Sequence, residues 1–151
     1  MLGSHAVEGS RVLDLYAGTG TLGIEALSRG ALAADFVEVR PVFCRDIRKN
    51  LQEMGLAHRG RVIQARADKA LDLVTEKYDL VLIDPPYDLD PWETLMNRLS
   101  ESRLLKNKTI VVAEHRYQMQ LADEYGCLFR LKSRRHGDTS ISVYRTKSHH
   151  G

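Results

Sequence analysis

The sequence predicts an α/β fold: a doubly wound, mostly parallel sheet of seven strands with helices on both faces, closed at its C-terminal end by an antiparallel hairpin. Three observations carry this expectation. Short β-branched runs alternate five times with helically periodic segments, the pattern of consecutive βα units. A glycine-rich turn follows the first strand, where such sheets open their ligand crevice. After residue 125 the alternation breaks, and two strand-like runs follow each other across a short turn.

Taken in order, Arg11 to Tyr16 (RVLDLY) reads as a buried strand and Thr21 to Arg29 as a helix whose Thr21 caps its own first turn. Ala34 to Val39 (ADFVEV) is the second strand. Pro41 suits a first helical turn, and Phe43, Ile47, Leu51 and Met54 recur at helical spacing on one face before Gly55 stops the helix. Arg61 to Ala65 is the third strand and Asp68 to Thr75 a short helix. Tyr78 to Ile83 ends in four consecutive apolar residues, which marks a strand buried on both faces. Pro91 to Leu99 is helical, Thr109 to Glu114 (TIVVAE) is a strand, and a weaker helix covers about Gln118 to Tyr125. Cys127 to Ser133 and Thr139 to Arg145 then pair through a turn at His136-Gly137-Asp138.

A chain of 151 residues suits one domain, residues 1–151, and buries roughly 70% of its unfolded surface without help from disulfides or metal. Hydrophobic residues at 43% and charged residues at 28% exclude disordered and collagen-like classes. No apolar run approaches the roughly 18 residues of a membrane span, and no secretion signal opens the chain, so a cytoplasmic protein without a membrane partner is expected. Cys44 and Cys127 form no metal-binding spacing and are expected to be buried thiols. The net charge of +2 hides a polarity. Residues 40–66 carry seven Lys/Arg against two acids and residues 130–147 six against one, leaving the rest of the chain acidic. Such a division suits a protein that meets phosphates on one side, and equally a solvated basic face.

Gly18, Gly20 and Gly23 form a GxGxxG between the first strand and its helix. Glycines there allow a tight turn and close approach of backbone to a ligand, while the helix offers free N–H groups. Glu38 stands at the end of the second strand, where a carboxylate accepts both hydroxyls of a ribose. This combination fits NAD and S-adenosylmethionine equally. Asp84-Pro85-Pro86-Tyr87, directly after the fourth strand, favours the second. Two prolines remove two N–H donors and leave carbonyls beside the Asp84 carboxylate, an acceptor-rich setting for an NH₂ group, with the Tyr87 ring available to stack on the attached base.

The tetrapeptide and glycine turn resemble those of the class I S-adenosylmethionine-dependent methyltransferases that act on exocyclic amines, enzymes of Rossmann-like fold. DLYAGTGTLGIEALSRGA, VVAEH and the turn Arg135-His136-Gly137-Asp138-Thr139-Ser140 look like the bacterial 16S rRNA guanine-N2 methyltransferase family, a resemblance covering roughly residues 8–145. It implies methyl transfer from S-adenosylmethionine to the N2 amine of a guanine in 16S ribosomal RNA or the small ribosomal subunit, by a monomer. Adenine-N6 nucleic-acid methyltransferases share the tetrapeptide. The glycine turn with Glu38 also suits an NAD-dependent oxidoreductase, or a cofactor-binding RNA module without activity.

On this resemblance Asp84, Pro85, Pro86 and Tyr87 are the catalytic set. Glu38 holds the cofactor ribose, Asp14 and the Ala17-Gly18-Thr19-Gly20 backbone face its methionine end, Val39 and Arg40 flank the adenine, and Asp68 accepts the adenine amine or simply caps its helix. Asp84 borders the cofactor as well. Arg130, Lys132, Arg134 and Arg135 are expected to track RNA phosphates, and His115 to be a structural hydrogen-bonder. The family usually carries a further N-terminal segment with a β-hairpin and an arginine-containing helix, whereas Met1 to Gly9 here leads almost at once into the first strand. The chain is therefore expected to bind cofactor and to methylate RNA slowly or not at all.

Overall fold

The computed structural model describes residues 7–147. Parallel strands β1 (Arg11–Asp14), β2 (Ala33–Glu38), β3 (Gly60–Gln64), β4 (Tyr78–Ile83) and β5 (Leu105–Arg116) alternate with helices α1 (Thr21–Ser28), α2 (Pro41–Glu53), α3 (Ala67–Leu73) and α4 (Trp92–Glu101). Antiparallel strands β6 (Glu124–Tyr125), β7 (Leu128–His136) and β8 (Thr139–Thr146) complete one sheet in the order β3-β2-β1-β4-β5-β8-β7-β6. The winding direction reverses between β1 and β4, and this switch point sets the crevice at the carboxyl ends of those two strands.

The pleat divides each central strand between two cores. Leu13, Val81 and Ile83 face α3 and α4, packing with Ala70, Leu71, Trp92 and Met96. Val12, Leu80 and Leu82 face α1 and α2, packing with Ile24, Leu27, Phe36 and Ile47. Burial on both faces is why β4 reads as an uninterrupted apolar run. A tight contact brings α1 to the sheet: a Cβ on Gly23 would lie 2.3 Å from the Phe36 ring, so only glycine admits this spacing. Among the described residues no helix is long and apolar enough to cross a membrane.

The architecture differs from the sequence expectation in several places. There are eight strands instead of seven. The helix expected over Gln118–Tyr125 does not form, and that stretch is a turn, an irregular run and the short β6. Only Leu121 and Tyr125 are buried there, too few to hold a helix against a core. Its backbone groups are satisfied by side chains instead: Ala122 N–H donates to the Tyr125 hydroxyl at 2.9 Å, and the Tyr144 hydroxyl donates to Ala122 C=O at 2.6 Å. The face expected on α2 ends early, for Ile47 and Leu51 are buried while Met54 lies past the helix and is 55% exposed. Cys44 is buried, but Cys127 is only half-buried. Thr21 does not cap α1; Gly20, at φ 87°, holds the cap position in the left-handed region. The polar tail at His149-His150 and residues 1–6 lie outside the described residues.

Candidate active site

At the switch point the β1–α1 turn folds over the end of the sheet. Gly20 N–H closes the turn on Ala17 C=O at 2.8 Å, and the first-turn donor of Gly23 goes to Asp14 Oδ2 at 3.2 Å. A carboxylate from the preceding strand thus does the capping expected of Thr21. Asp14 lies beneath the turn, 1% exposed, and its Oδ1 has no partner among the described residues. Burial pushes its pKa up to about 7, the Gly23 N–H opposes this, and the Glu38 charge adds to it. Asp14 lies one residue before the cavity wall, which begins at Leu15.

That cavity, about 1000 Å³, is bounded by the β1 turn from Leu15 to Thr19, by Glu38, Val39 and Arg40, by Ala67 and Asp68, and by Asp84, Pro85 and Pro86. It therefore unites most of the expected cofactor residues. Glu38 is fixed within it: Oε1 accepts Gly18 N–H at 2.9 Å, and Oε2 accepts Arg40 N–H at 2.9 Å and Arg40 Nε at 3.0 Å. Burial would raise its pKa, but hydrogen bonds from the Arg40 side chain, Arg40 N–H and Gly18 N–H outweigh that and hold the carboxyl below its ordinary value. Arg40 Nη2 also reaches Oε1 at 3.4 Å, so each oxygen already accepts two hydrogen bonds, and a ligand hydroxyl would share Glu38 with the Arg40 side chain or displace it. Arg40 then turns its guanidinium over the Phe43 ring at 4.1 Å. Asp68 makes no cap on α3 and pairs with Arg66 at 3.2 Å, leaving its carboxylate at the cavity wall.

Asp84, Pro85 and Pro86 are the partition between this space and a second cavity of about 250 Å³. The smaller cavity is lined further by Tyr87, Trp92, Glu114, His115 and Arg116. Burial, a hydrogen bond and charge from Glu114, and the Asp14 charge together push Asp84 up to about 7. Tyr87 is 61% exposed, with the Arg116 guanidinium over its ring at 4.7 Å. His115 is buried edge-on to Trp92, donating from Nδ1 to Arg116 C=O at 3.0 Å and accepting at Nε2 from the Ser142 hydroxyl at 2.8 Å, a structural role.

The hairpin groups divide. Lys132, Arg134 and Arg135 are exposed on β7, whereas Arg130 is half-buried, bonded to the Asp123 carboxylate and to Leu121 C=O. Arg135 packs over the Tyr117 ring at 3.5 Å. Glu114 and Arg116 are not singled out by the sequence pattern, which ends this strand at Glu114 whereas β5 runs on to Arg116; the missing information is that β4 and β5 are neighbours.

The family model described as "Conserved hypothetical protein 95" matches residues 1–145. YlbH of Bacillus subtilis (strain 168), named as a candidate rRNA methyltransferase, is 30% identical over 150 residues, covering 97% of this chain and 81% of that protein. Ribosomal RNA small subunit methyltransferase D of Escherichia coli (strain K12) is 30% identical over 105 residues, 70% of this chain and 52% of its own length. Among solved structures, a conserved hypothetical protein of Streptococcus pyogenes superposes with a TM-score of 0.87 at 34% identity, covering 95% of this chain and 90% of that one.

Proposed function

Because the chain belongs to the family described as Conserved hypothetical protein 95, we propose that it transfers a methyl group from S-adenosylmethionine to the exocyclic N2 amine of a guanine in small-subunit ribosomal RNA. The partner on this reading is 16S rRNA, or the small ribosomal subunit carrying it, met by a single copy of the chain. One observation carries the reading: Asp84-Pro85-Pro86 is a common wall between a large cavity with a fixed carboxylate and a small cavity with an aromatic lining. A cofactor on one side and a base on the other would meet across the acceptors that an amine needs.

The residues present fit the cofactor. The larger cavity lies at the upper end of the roughly 300–1,000 Å³ of small-molecule sites. Glu38, held ionised by Gly18 and Arg40, would accept the ribose hydroxyls, and Asp68 the adenine amine, with Val39 and Arg40 beside the ring. The Ala17–Gly20 backbone would border the methionine end. When bound, the group supplies an electrophilic methyl on a sulfonium.

A guanine amine is a poor nucleophile because its lone pair is delocalised into the ring. Asp84 and the Pro85 carbonyl accept its two N–H groups, which favours a pyramidal nitrogen with its lone pair aimed across the partition. Tyr87 offers its ring to the base once it is swung out of its stack. The chain's contribution is positioning and electrostatics, with no covalent enzyme intermediate.

Calorimetry with S-adenosylhomocysteine and with NADH tests the cofactor, and binding of NADH alone overturns it. Labelled methyl transfer to undermethylated small subunits, followed by digestion to nucleosides, tests the reaction. N2-methylguanosine is the expected product, and N6-methyladenosine would reassign the base. Asp84→Ala should abolish transfer while leaving homocysteine-product affinity nearly intact; equal loss of both would move Asp84 to a structural or cofactor role.

A further inference from the structure

Asp84 does not stand alone at the partition. The parallel register pairs Ile83 of β4 with Ala113 of β5, so the next residues lie side by side, Asp84 just past the end of β4 and Glu114 still within β5. Both line the smaller cavity, close enough for a side-chain hydrogen bond between Glu114 and Asp84. Two carboxyl groups bond in this way only if a proton lies between them. The neighbouring groups leave the pair uncompensated. From β1, Asp14 adds negative charge. Along β5, His115 is engaged with Arg116 C=O and Ser142, and Arg116 turns its guanidinium onto Tyr87. On β8 the residue opposite Glu114 is Ile141.

We propose that Glu114 is a positioning residue of the methyl transfer: it orients Asp84 by a shared proton and makes the ionisation of Asp84, and so its grip on the target amine, depend on the pair. This rests on the function proposed above. In the step itself the N–C bond forms as the C–S bond breaks, the electron pair staying on sulfur. One N–H bond of the amine breaks, and its proton passes to the Asp84 carboxylate and along the shared hydrogen bond toward Glu114 and solvent. An acceptor whose basicity is raised by its neighbour serves this step better than an ordinary aspartate, provided the pH is high enough to ionise it.

The test compares the wild-type chain with Glu114→Gln and Glu114→Asp. Methyl transfer to undermethylated small subunits is followed from pH 5 to 9, and the Asp84 carboxyl is titrated in parallel by carbon NMR with homocysteine product bound, Asp84→Asn supplying the assignment. Wild-type transfer should rise through an acid limb near pH 7. Glu114→Gln replaces the shared proton by an amide N–H donated to a carboxylate, so both midpoints should fall by a unit or more, with the plateau rate several-fold lower and cofactor affinity unchanged. Glu114→Asp, drawn back by one methylene, should shift both midpoints less in the same direction, and it serves as the test variant if Glu114→Gln does not fold. Unchanged midpoints overturn the proposal. Absence of transfer by the wild type would remove the proposed function, whereas the NMR midpoint would still decide whether Glu114 governs Asp84.

Discussion

Glu38 and Tyr87 illustrate how differently single residues are committed to the site. Glu38 is held by four hydrogen bonds from Gly18 and Arg40 before any ligand arrives, so on the proposed function it would meet a ribose already oriented and charged. Glu38→Ala should weaken S-adenosylhomocysteine binding by about 1–3 kcal/mol, the worth of hydrogen bonds to a charged acceptor. Calorimetry checks this, and unchanged affinity would remove Glu38 from the ribose. Tyr87 is exposed and touched by the Arg116 guanidinium over its ring. If the ring is what a base meets, Tyr87→Phe should retain much of the transfer rate and Tyr87→Ala should lose it. Equal loss in the two variants would point to the hydroxyl.

At the scale of elements, α1 and the C-terminal hairpin make opposite demands on their residues. The approach of α1 to β2 leaves no room at Gly23, where a methyl would meet Phe36 at 2.3 Å. Gly23→Ala should therefore destabilise the fold by about 1–3 kcal/mol despite its better helix propensity, seen as a lower thermal midpoint. On β7, Lys132, Arg134 and Arg135 reach solvent while Arg130 is tied to Asp123 and Leu121. Replacing the first three by glutamine should weaken RNA binding and flatten its salt dependence, with little change in cofactor affinity. Arg130→Gln should instead leave the salt slope unchanged. A salt slope that falls equally in both cases would return Arg130 to the RNA surface.

Over the whole molecule, carboxylates ordered by the switch point make stability depend on pH. Asp14 has a folded pKa of about 7 against an ordinary 3.8. The unfolded chain therefore releases that proton first as pH rises. Stability associated with Asp14 is full below the unfolded value, is lost progressively between about pH 4 and 7, and changes no further above it. Asp14→Asn keeps an oxygen for Gly23 N–H and has no proton to lose. Urea unfolding should show its stability relative to wild type growing from pH 4 to 7 and then levelling. A constant difference across that range would show that Asp14 titrates normally.

Periodicity along the chain was sufficient for the alternating βα units, the glycine turn and the closing hairpin, because each is a local pattern of apolar spacing and turn residues. It also placed Glu38 and Asp84 at strand ends, and with them most of the cavity. The segment Gln118–Tyr125 escaped it, since tyrosine hydroxyls from Tyr125 and from distant Tyr144 satisfy backbone groups that a helix would have used. Arg130 looked like its basic neighbours until the fold set Asp123 against it. That Asp14 also caps α1 through Gly23 N–H is set by the docking of α1 above it. Glu114 became significant only through the order β1-β4-β5, which brings residues far apart in the chain to one partition. Local spacing dictates which residues end a strand; strand order and register, products of the crossovers and the two packed cores, decide which of those ends are neighbours and what charge each one feels.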